Sequence, residues 1–86
     1  MTASYKVLIT AGAEHELRGL PAAERSRVTK RILALQHDPR PPGCKKLSGI
    51  EGYRLRVGRY RVLYVIADEA RAVTIYEIGH RREVYR

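Results

Sequence analysis

Two alternating stretches joined by a single glycine constrain the fold more than any other feature of the sequence. Residues 53–57 read Tyr-Arg-Leu-Arg-Val, and after Gly58 residues 59–66 read Arg-Tyr-Arg-Val-Leu-Tyr-Val-Ile. Alternation of period two is typical of β-strands, whose successive side chains point to opposite faces. Because the connection is so short, the two strands must be antiparallel neighbours. A further strand over 72–78, after the turn at 68–70, would complete a meander.

The first half of the chain predicts a strand followed by a helical hairpin. Residues 5–10 have β character, and we expect Gly12 to end that strand before a short helix over 13–20. Pro21 fits the first turn of a second helix, where its missing N–H costs nothing. That helix must stop before Pro39, since proline disfavours helical geometry in the preceding residue. Its core-facing stripe, at helical spacing, is Val28, Ile32 and Leu35.

These elements predict one α+β domain over residues 1–86, in the order β-α-α-β-β-β. Short turns imply an antiparallel three-stranded meander after the hairpin, with the helices packed on one face of the sheet. Residues 44–52 are expected to be irregular. The longest apolar run, residues 62–67, is far too short to cross a membrane, and no leader pattern opens the chain. We therefore expect a cytoplasmic protein without membrane contact.

Cysteine and histidine usage argues against disulfides and metal. Cys44 is the only cysteine, so no internal disulfide can form. The three histidines, His15, His37 and His80, are widely spaced and match no zinc-binding pattern. We expect no metal site and no cofactor.

The positive charge is concentrated where the strands alternate. The formal net charge is +8, and residues 53–61 carry four arginines without an acidic residue. If the tyrosines and alternate aliphatic residues of these strands face the helices, the arginines all face away from them, together with Leu63 and Val65. Guanidinium is planar, permanently charged and bidentate toward phosphate, so this face suits a polyanion such as a nucleic acid. The arginines concerned are Arg54, Arg56, Arg59 and Arg61.

Two segments resemble the RelE branch of the RelE/ParE toxins of type II toxin–antitoxin systems. Residues 79–85 read Gly-His-Arg-Arg-Glu-Val-Tyr, similar to the terminal motif of RelE-type toxins, and residues 46–49 and 53–64 are similar to the central block of that family. The resemblance implies ribosome-dependent cleavage of mRNA by attack of the RNA 2′-hydroxyl on the adjacent phosphorus. It also implies a cognate antitoxin that wraps the toxin through an acidic or amphipathic segment.

The resemblance further implies three catalytic residues. Arg61 would hold the scissile phosphate and stabilise its developing charge. Arg81 would contact the same phosphate or the leaving group. Tyr85 would stack on a substrate base or act as the general base, the latter only if nearby cations lower its pKa. No metal is needed for this chemistry.

One departure from the family pattern changes which residues could act as the general base. Relatives carry lysines where this chain has Arg54 and Arg56, and arginine does not lose its proton in proteins. These two residues are therefore phosphate-binding candidates, and the general base would be Tyr85, His80 or a group of the ribosome. The full set of expected RNA-binding residues is Arg54, Arg56, Arg59, Lys45, Lys46 and His80.

Three other interpretations stay open. The same scaffold could be a ParE-like toxin that inhibits gyrase, which would need no phosphate chemistry. It could also be a non-catalytic nucleic-acid-binding module, because a fold does not fix a function. Finally, the arginine face could be a solvated surface paired with Glu51, Glu77 or Glu83.

Overall fold

The computed structural model describes residues 4–80, which form a five-stranded sheet with two helices on one face. In chain order the elements are β1 (Lys6–Ile9), α1 (Ala11–Arg18), α2 (Ala22–Ala34), β2 (Lys45–Lys46), β3 (Tyr53–Val57), β4 (Tyr60–Ala67) and β5 (Ala72–His80). The strand order is β1-β5-β4-β3-β2, with β1 parallel to β5 and every other pair antiparallel. The predicted α+β class and the helices-on-one-face arrangement are confirmed.

The first strand passes into α1 without the break predicted at Gly12. The backbone N–H of Thr10 still donates to Ile75 in β5, while its side chain accepts from the N–H of Ala13 at 3.1 Å. Thr10 is therefore the N-cap of α1, because a threonine oxygen can satisfy an otherwise unpaired donor in the first helical turn. The prediction for Gly12 was wrong, since this glycine lies inside the helix.

The loop before the meander contains a strand that the sequence pattern did not reveal. Lys45 and Lys46 form β2, which pairs with the beginning of β3 although residues 44–52 were expected to be irregular. A strand of two residues is too short to show a period, so nothing in the sequence marks it. Downstream, Val57 lies opposite Tyr60, and the intervening turn contains Arg59, which was wrongly placed in the strand.

The core lies between the helices and one face of the sheet. From α2 and its C-cap come Val28, Ile32 and Leu35, as predicted. The sheet contributes the buried residues Leu55, Val57, Val62, Tyr64, Val73, Ile75 and Ile78. Burial of these side chains is the main favourable term in folding. In the part of the chain described, no helix has the length and apolarity to span a bilayer.

A polar network at one end of the sheet anchors the loop that follows α2. The buried Tyr64 hydroxyl donates to the Pro39 carbonyl at 2.9 Å. Arg40 makes a bidentate contact with Asp68 in the β4–β5 turn, at 3.2 and 2.9 Å, and its Nε donates to the Tyr53 hydroxyl at 3.1 Å. The Tyr5 hydroxyl donates to the same carboxylate at 2.7 Å. The network joins Tyr5, which precedes β1, and the β4–β5 turn to the loop that follows α2.

Candidate nucleic-acid interface

Three of the predicted arginines lie together on the sheet face turned away from the helices. Arg56 in β3 lies directly opposite Arg61 in β4, and Arg54 lies opposite Leu63. Residues opposite each other on antiparallel strands point to the same face, and neighbouring strands are about 4.8 Å apart. Their neighbours Leu55 and Val62 are in the core, which fixes the arginines on the other side. Arg59 is exposed in the turn.

Arg61 stands out because its side chain is buried. The residue is 5% exposed, whereas Arg56 is exposed. Charged side chains are rarely buried unless they are paired or functional. The residue opposite Arg61 on the other neighbouring strand is Gly79, which contributes no side chain there. Arg61 therefore lies at the middle of the arginine face, between a cationic strand and a glycine.

A β-bulge sets which residue stands beside Arg61. Leu63 lies opposite Glu77 and Tyr64 lies opposite Ile75, so Tyr76 is the extra residue in β5. Because the bulge shifts the alternation by one position, Ile75 and Ile78 can both face the core. The same shift places Glu77 and Gly79 on the arginine face. Without it, Ile78 would have the parity of the arginine side.

The two lysines of β2 point in opposite directions. Lys45 lies opposite Arg54 and shares the arginine face, while Lys46 lies opposite Tyr53 on the helix side. Tyr53 packs against the core and stacks on Tyr64 with ring centroids 5.9 Å apart. The structure therefore brings Lys45, but not Lys46, to the predicted site.

His80 also lies on the helix side rather than with Arg61. It is opposite Tyr60, and the two rings meet edge to face with centroids 5.9 Å apart. The Tyr60 hydroxyl donates to Glu24 in α2 at 2.6 Å. Arg81 and Tyr85, the other two residues assigned to catalysis, lie outside the described residues.

The described tyrosines with shifted pKa values are poor candidates for a base. The hydrogen bond to Glu24 raises the pKa of Tyr60, and burial raises the pKa values of Tyr64 and Tyr76. A tyrosine must lose its proton to act as a base, so these shifts work against that role. Among residues 4–80, no cluster of His, Cys, Asp or Glu has the composition of a metal site.

Sequence reasoning missed two residues that support this site. Glu16 in α1 accepts a hydrogen bond from the backbone N–H of Ile78 at 2.8 Å, beyond the point where β1 stops pairing with β5. Arg31 in α2 lines a groove with Arg54 and Arg56. Arg31 directly precedes Ile32 and follows Val28 by three positions, so it borders the apolar stripe of α2. This position beside the apolar stripe was the sequence signal that could have identified Arg31.

Fold and site together define a small basic α+β protein with a cationic sheet face suited to phosphate. The family model described as "ParE toxin of type II toxin-antitoxin system, parDE" matches residues 7–85. The chain belongs to the RelE/ParE toxin superfamily of type II toxin–antitoxin systems.

Individual relatives agree with this assignment. Toxin RelG of Mycobacterium tuberculosis is 32% identical over 84 residues, covering 95% of this chain and 97% of the relative. Toxin RelE1 of Methanocaldococcus jannaschii is 32% identical over 75 residues, covering 83% of each chain. A chain in the crystal structure of the toxin–antitoxin complex RelBE2 from M. tuberculosis superimposes with a TM-score of 0.81, at 31% identity, covering 91% of this chain and 99% of that one.

Proposed function

We propose that this chain is the toxin of a type II toxin–antitoxin system that cleaves mRNA on the ribosome. The observation that carries the proposal is the placement of Arg61, buried in the middle strand and directly opposite Arg56 on the arginine face. Two guanidiniums at this spacing suit the non-bridging oxygens of a single phosphodiester. The RelE names of the similar proteins support an endoribonuclease over other activities of the superfamily.

The proposed reaction is an internal transesterification. The 2′-oxygen attacks phosphorus as its proton leaves to a base, and the bond from phosphorus to the 5′-oxygen breaks as that oxygen gains a proton. The products are a 2′,3′-cyclic phosphate and a 5′-hydroxyl end. Negative charge grows on the phosphoryl oxygens in the transition state, and preorganised cations at that position lower the barrier. Arg61 has this role.

The remaining roles follow from the resemblance and the residue chemistry. Arg81 contacts the phosphate or the leaving group, and Tyr85 stacks on a base or removes the proton. Arg54 and Arg56 bind phosphate without accepting protons. The proposed mechanism uses no metal or cofactor.

We propose a cognate antitoxin as the protein partner. The similar M. tuberculosis structure is a toxin–antitoxin complex, and the +8 charge of this chain favours an acidic or amphipathic segment that folds on binding. Messenger RNA and the ribosome are the other partners, which requires a cytoplasmic location.

The test in cells is to map mRNA 5′ ends on ribosomes after brief induction of the chain. We expect new 5′-hydroxyl ends within reading frames and arrested translation, both lost in the Arg61→Ala, Arg81→Ala double variant. Lys30→Ala, which removes an exposed positive charge from α2, should cleave as the wild type does. Normal arrest by the double variant would contradict catalysis by these arginines, provided the variant is soluble and folded.

The ParE description of the matching family keeps gyrase inhibition as a second candidate. Under that function, induction would cause DNA damage while mRNA stays intact. Binding to translating ribosomes without cleavage would instead indicate a non-catalytic RNA-binding module. The 5′-end map separates cleavage from the other two candidates, and assays for DNA damage and for ribosome binding separate those two from each other.

A further inference from the structure

A cationic groove lies at the β3 edge of the sheet, and β3 is the neighbour of the strand that carries Arg61. The groove has a volume of about 430 Å³ and is lined by Arg31, Pro42, Gly43, Lys45, Arg54, Leu55 and Arg56. Three separate parts of the chain build it: α2, the loop after α2 with β2, and β3. Because β2 pairs only with the first two residues of β3, the groove lies where that pairing ends.

The charge of this groove has one sign. Among the residues that the structure describes, its lining contains three arginines and one lysine and no acidic side chain. Like charges gathered at one site raise the local potential and attract a polyanion. Arg31 belongs to α2, so the helix contributes to the groove together with the sheet edge.

The groove is continuous with the proposed cleavage position. Arg56 lines the groove and also lies directly opposite Arg61 on the next strand. Arg56 therefore borders both places, and the strands β3 and β4 that carry the arginine pair are neighbours about 4.8 Å apart. A chain of regularly spaced phosphates can occupy both places, which an isolated anion cannot.

We propose that this groove is a second phosphate-binding subsite, that it takes the ribose-phosphate backbone of single-stranded RNA, and that Arg31 is a phosphate-contacting residue within it. The inference rests on the proposed action on RNA and extends it to the nucleotides that flank the cleaved bond. RNA fits better than an acidic peptide because guanidiniums pair bidentately with phosphate, while Leu55 and Pro42 offer a peptide few apolar anchors.

The test measures the binding of an RNA that cannot be cleaved. Fluorescence anisotropy of a short, labelled 2′-O-methyl RNA, which has no 2′-hydroxyl nucleophile, reports affinity for the full chain at several salt concentrations. Arg31→Ala should weaken binding about tenfold, the effect of one lost charged contact. It should also reduce the log–log salt slope by about 0.7, the value for one phosphate on a single strand. Alanine is a strong helix former, so α2 should stay intact.

Two variants control for charge and for geometry. Lys30→Ala removes an equal charge from the neighbouring, exposed position outside the groove. It should leave the affinity within about twofold of wild type and the salt slope unchanged, because an exposed charge outside the groove is largely screened. Arg31→Lys keeps the charge, so the slope should recover while affinity recovers only in part, because lysine lacks the bidentate fork.

Parallel sedimentation with vacant ribosomes distinguishes the source of the phosphates. Loss of binding by Arg31→Ala to the free oligonucleotide assigns them to the substrate strand and supports the subsite. Loss only with ribosomes assigns the phosphates to ribosomal RNA, which would contradict a subsite for the nucleotides that flank the cleaved bond. Equal behaviour of Arg31→Ala and Lys30→Ala in both assays would overturn the subsite. So would an Arg31→Ala protein that binds RNA normally but binds poly-glutamate, a probe for acidic peptides, more weakly than wild type. If the wild type binds RNA through Arg31 but never cleaves it, the groove stands and the nuclease proposal falls.

Discussion

Arg61 differs from the other arginines of its face by its burial, and sequence alone did not predict this. The alternation of β3 and β4 treats Arg54, Arg56 and Arg61 alike, because period two assigns a face and not a depth. Depth depends on the strand's place in the sheet. β4 is the central strand, flanked by β3 and β5, so its middle residues lose solvent on both sides. The position proposed for catalysis is thereby the best shielded, where electrostatic interactions are strongest.

The Asp68 carboxyl should make the folding stability depend on pH in the acid range. Its bidentate contact with Arg40, and secondly the hydrogen bond from Tyr5, hold the pKa of this carboxyl below its usual value. A carboxyl with a lowered folded-state pKa stabilises the protein above its unfolded pKa of about 4 and loses that contribution as pH falls through the folded value.

Urea midpoints measured from neutral pH into the acid range should show this loss. The wild type should lose more stability below about pH 4 than Asp68→Asn, which has no carboxyl to titrate. The same network raises the pKa of Tyr5, chiefly through its hydrogen bond to Asp68. Parallel pH curves for wild type and Asp68→Asn would show that the network does not affect folding.

At the scale of elements, Glu16 compensates for the short length of β1. The parallel strand pairs with β5 from Ala72 to Ile75, so within residues 4–80 the outer edge of β5 beyond that point has no strand partner. The Glu16 carboxylate accepts the N–H of Ile78 at 2.8 Å and joins α1 to the strand that leads to Gly79. The helix thereby supports the strand beside Arg61.

Removal of this carboxylate should loosen the end of β5. In Glu16→Ala the amide of Ile78 should exchange with solvent about tenfold faster, since a hydrogen bond to a charged group contributes roughly 1.5–3 kcal/mol. Glu14→Ala is the matched control, because Glu14 forms only an exposed pair with Arg18 on the same helix, and such pairs contribute little. Equal exchange rates in the two variants would show that Glu16 does not hold the strand.

The sequence was most informative where a pattern repeats. Eight residues of β4 and five of β3 alternate, so their strands, faces and core residues were predictable. The β2 strand was not, because two residues cannot show a period. His80 was placed with the arginines because it belongs to the terminal motif and adjoins Arg81 in the sequence, whereas the bulge at Leu63 and Tyr64 decides its parity, and such an insertion has no signature in the sequence. The roles of Arg81 and Tyr85 stay predictions.

At the scale of the whole molecule, the two faces of one sheet separate stability from recognition. The helix face contains the core together with Tyr60 and His80, and the other face carries the arginines with Leu63 and Val65 beside them. A short chain has few residues to spare for a separate binding domain. In a β-strand, alternate residues point to opposite faces. The same strands can therefore supply core residues on one face and arginines on the other.

The charge on the arginine face favours an acidic inhibitor, as we propose for the antitoxin. A ligand that neutralised this face would compete directly with RNA and would associate faster at low salt. In this proposal, inhibition and cleavage depend on the same residues, with Arg61 at their centre.

The most direct test of the proposed role of Arg61 is the single-turnover rate of mRNA cleavage on purified, programmed ribosomes. Arg61→Lys keeps the charge but loses the bidentate geometry, and its rate should fall by about 10²-fold or more, as for loss of one oxyanion donor. Lys30→Ala should cleave at the wild-type rate, and circular dichroism should show all three proteins folded. A folded Arg61→Lys protein that cleaves as fast as wild type would contradict the central role of Arg61.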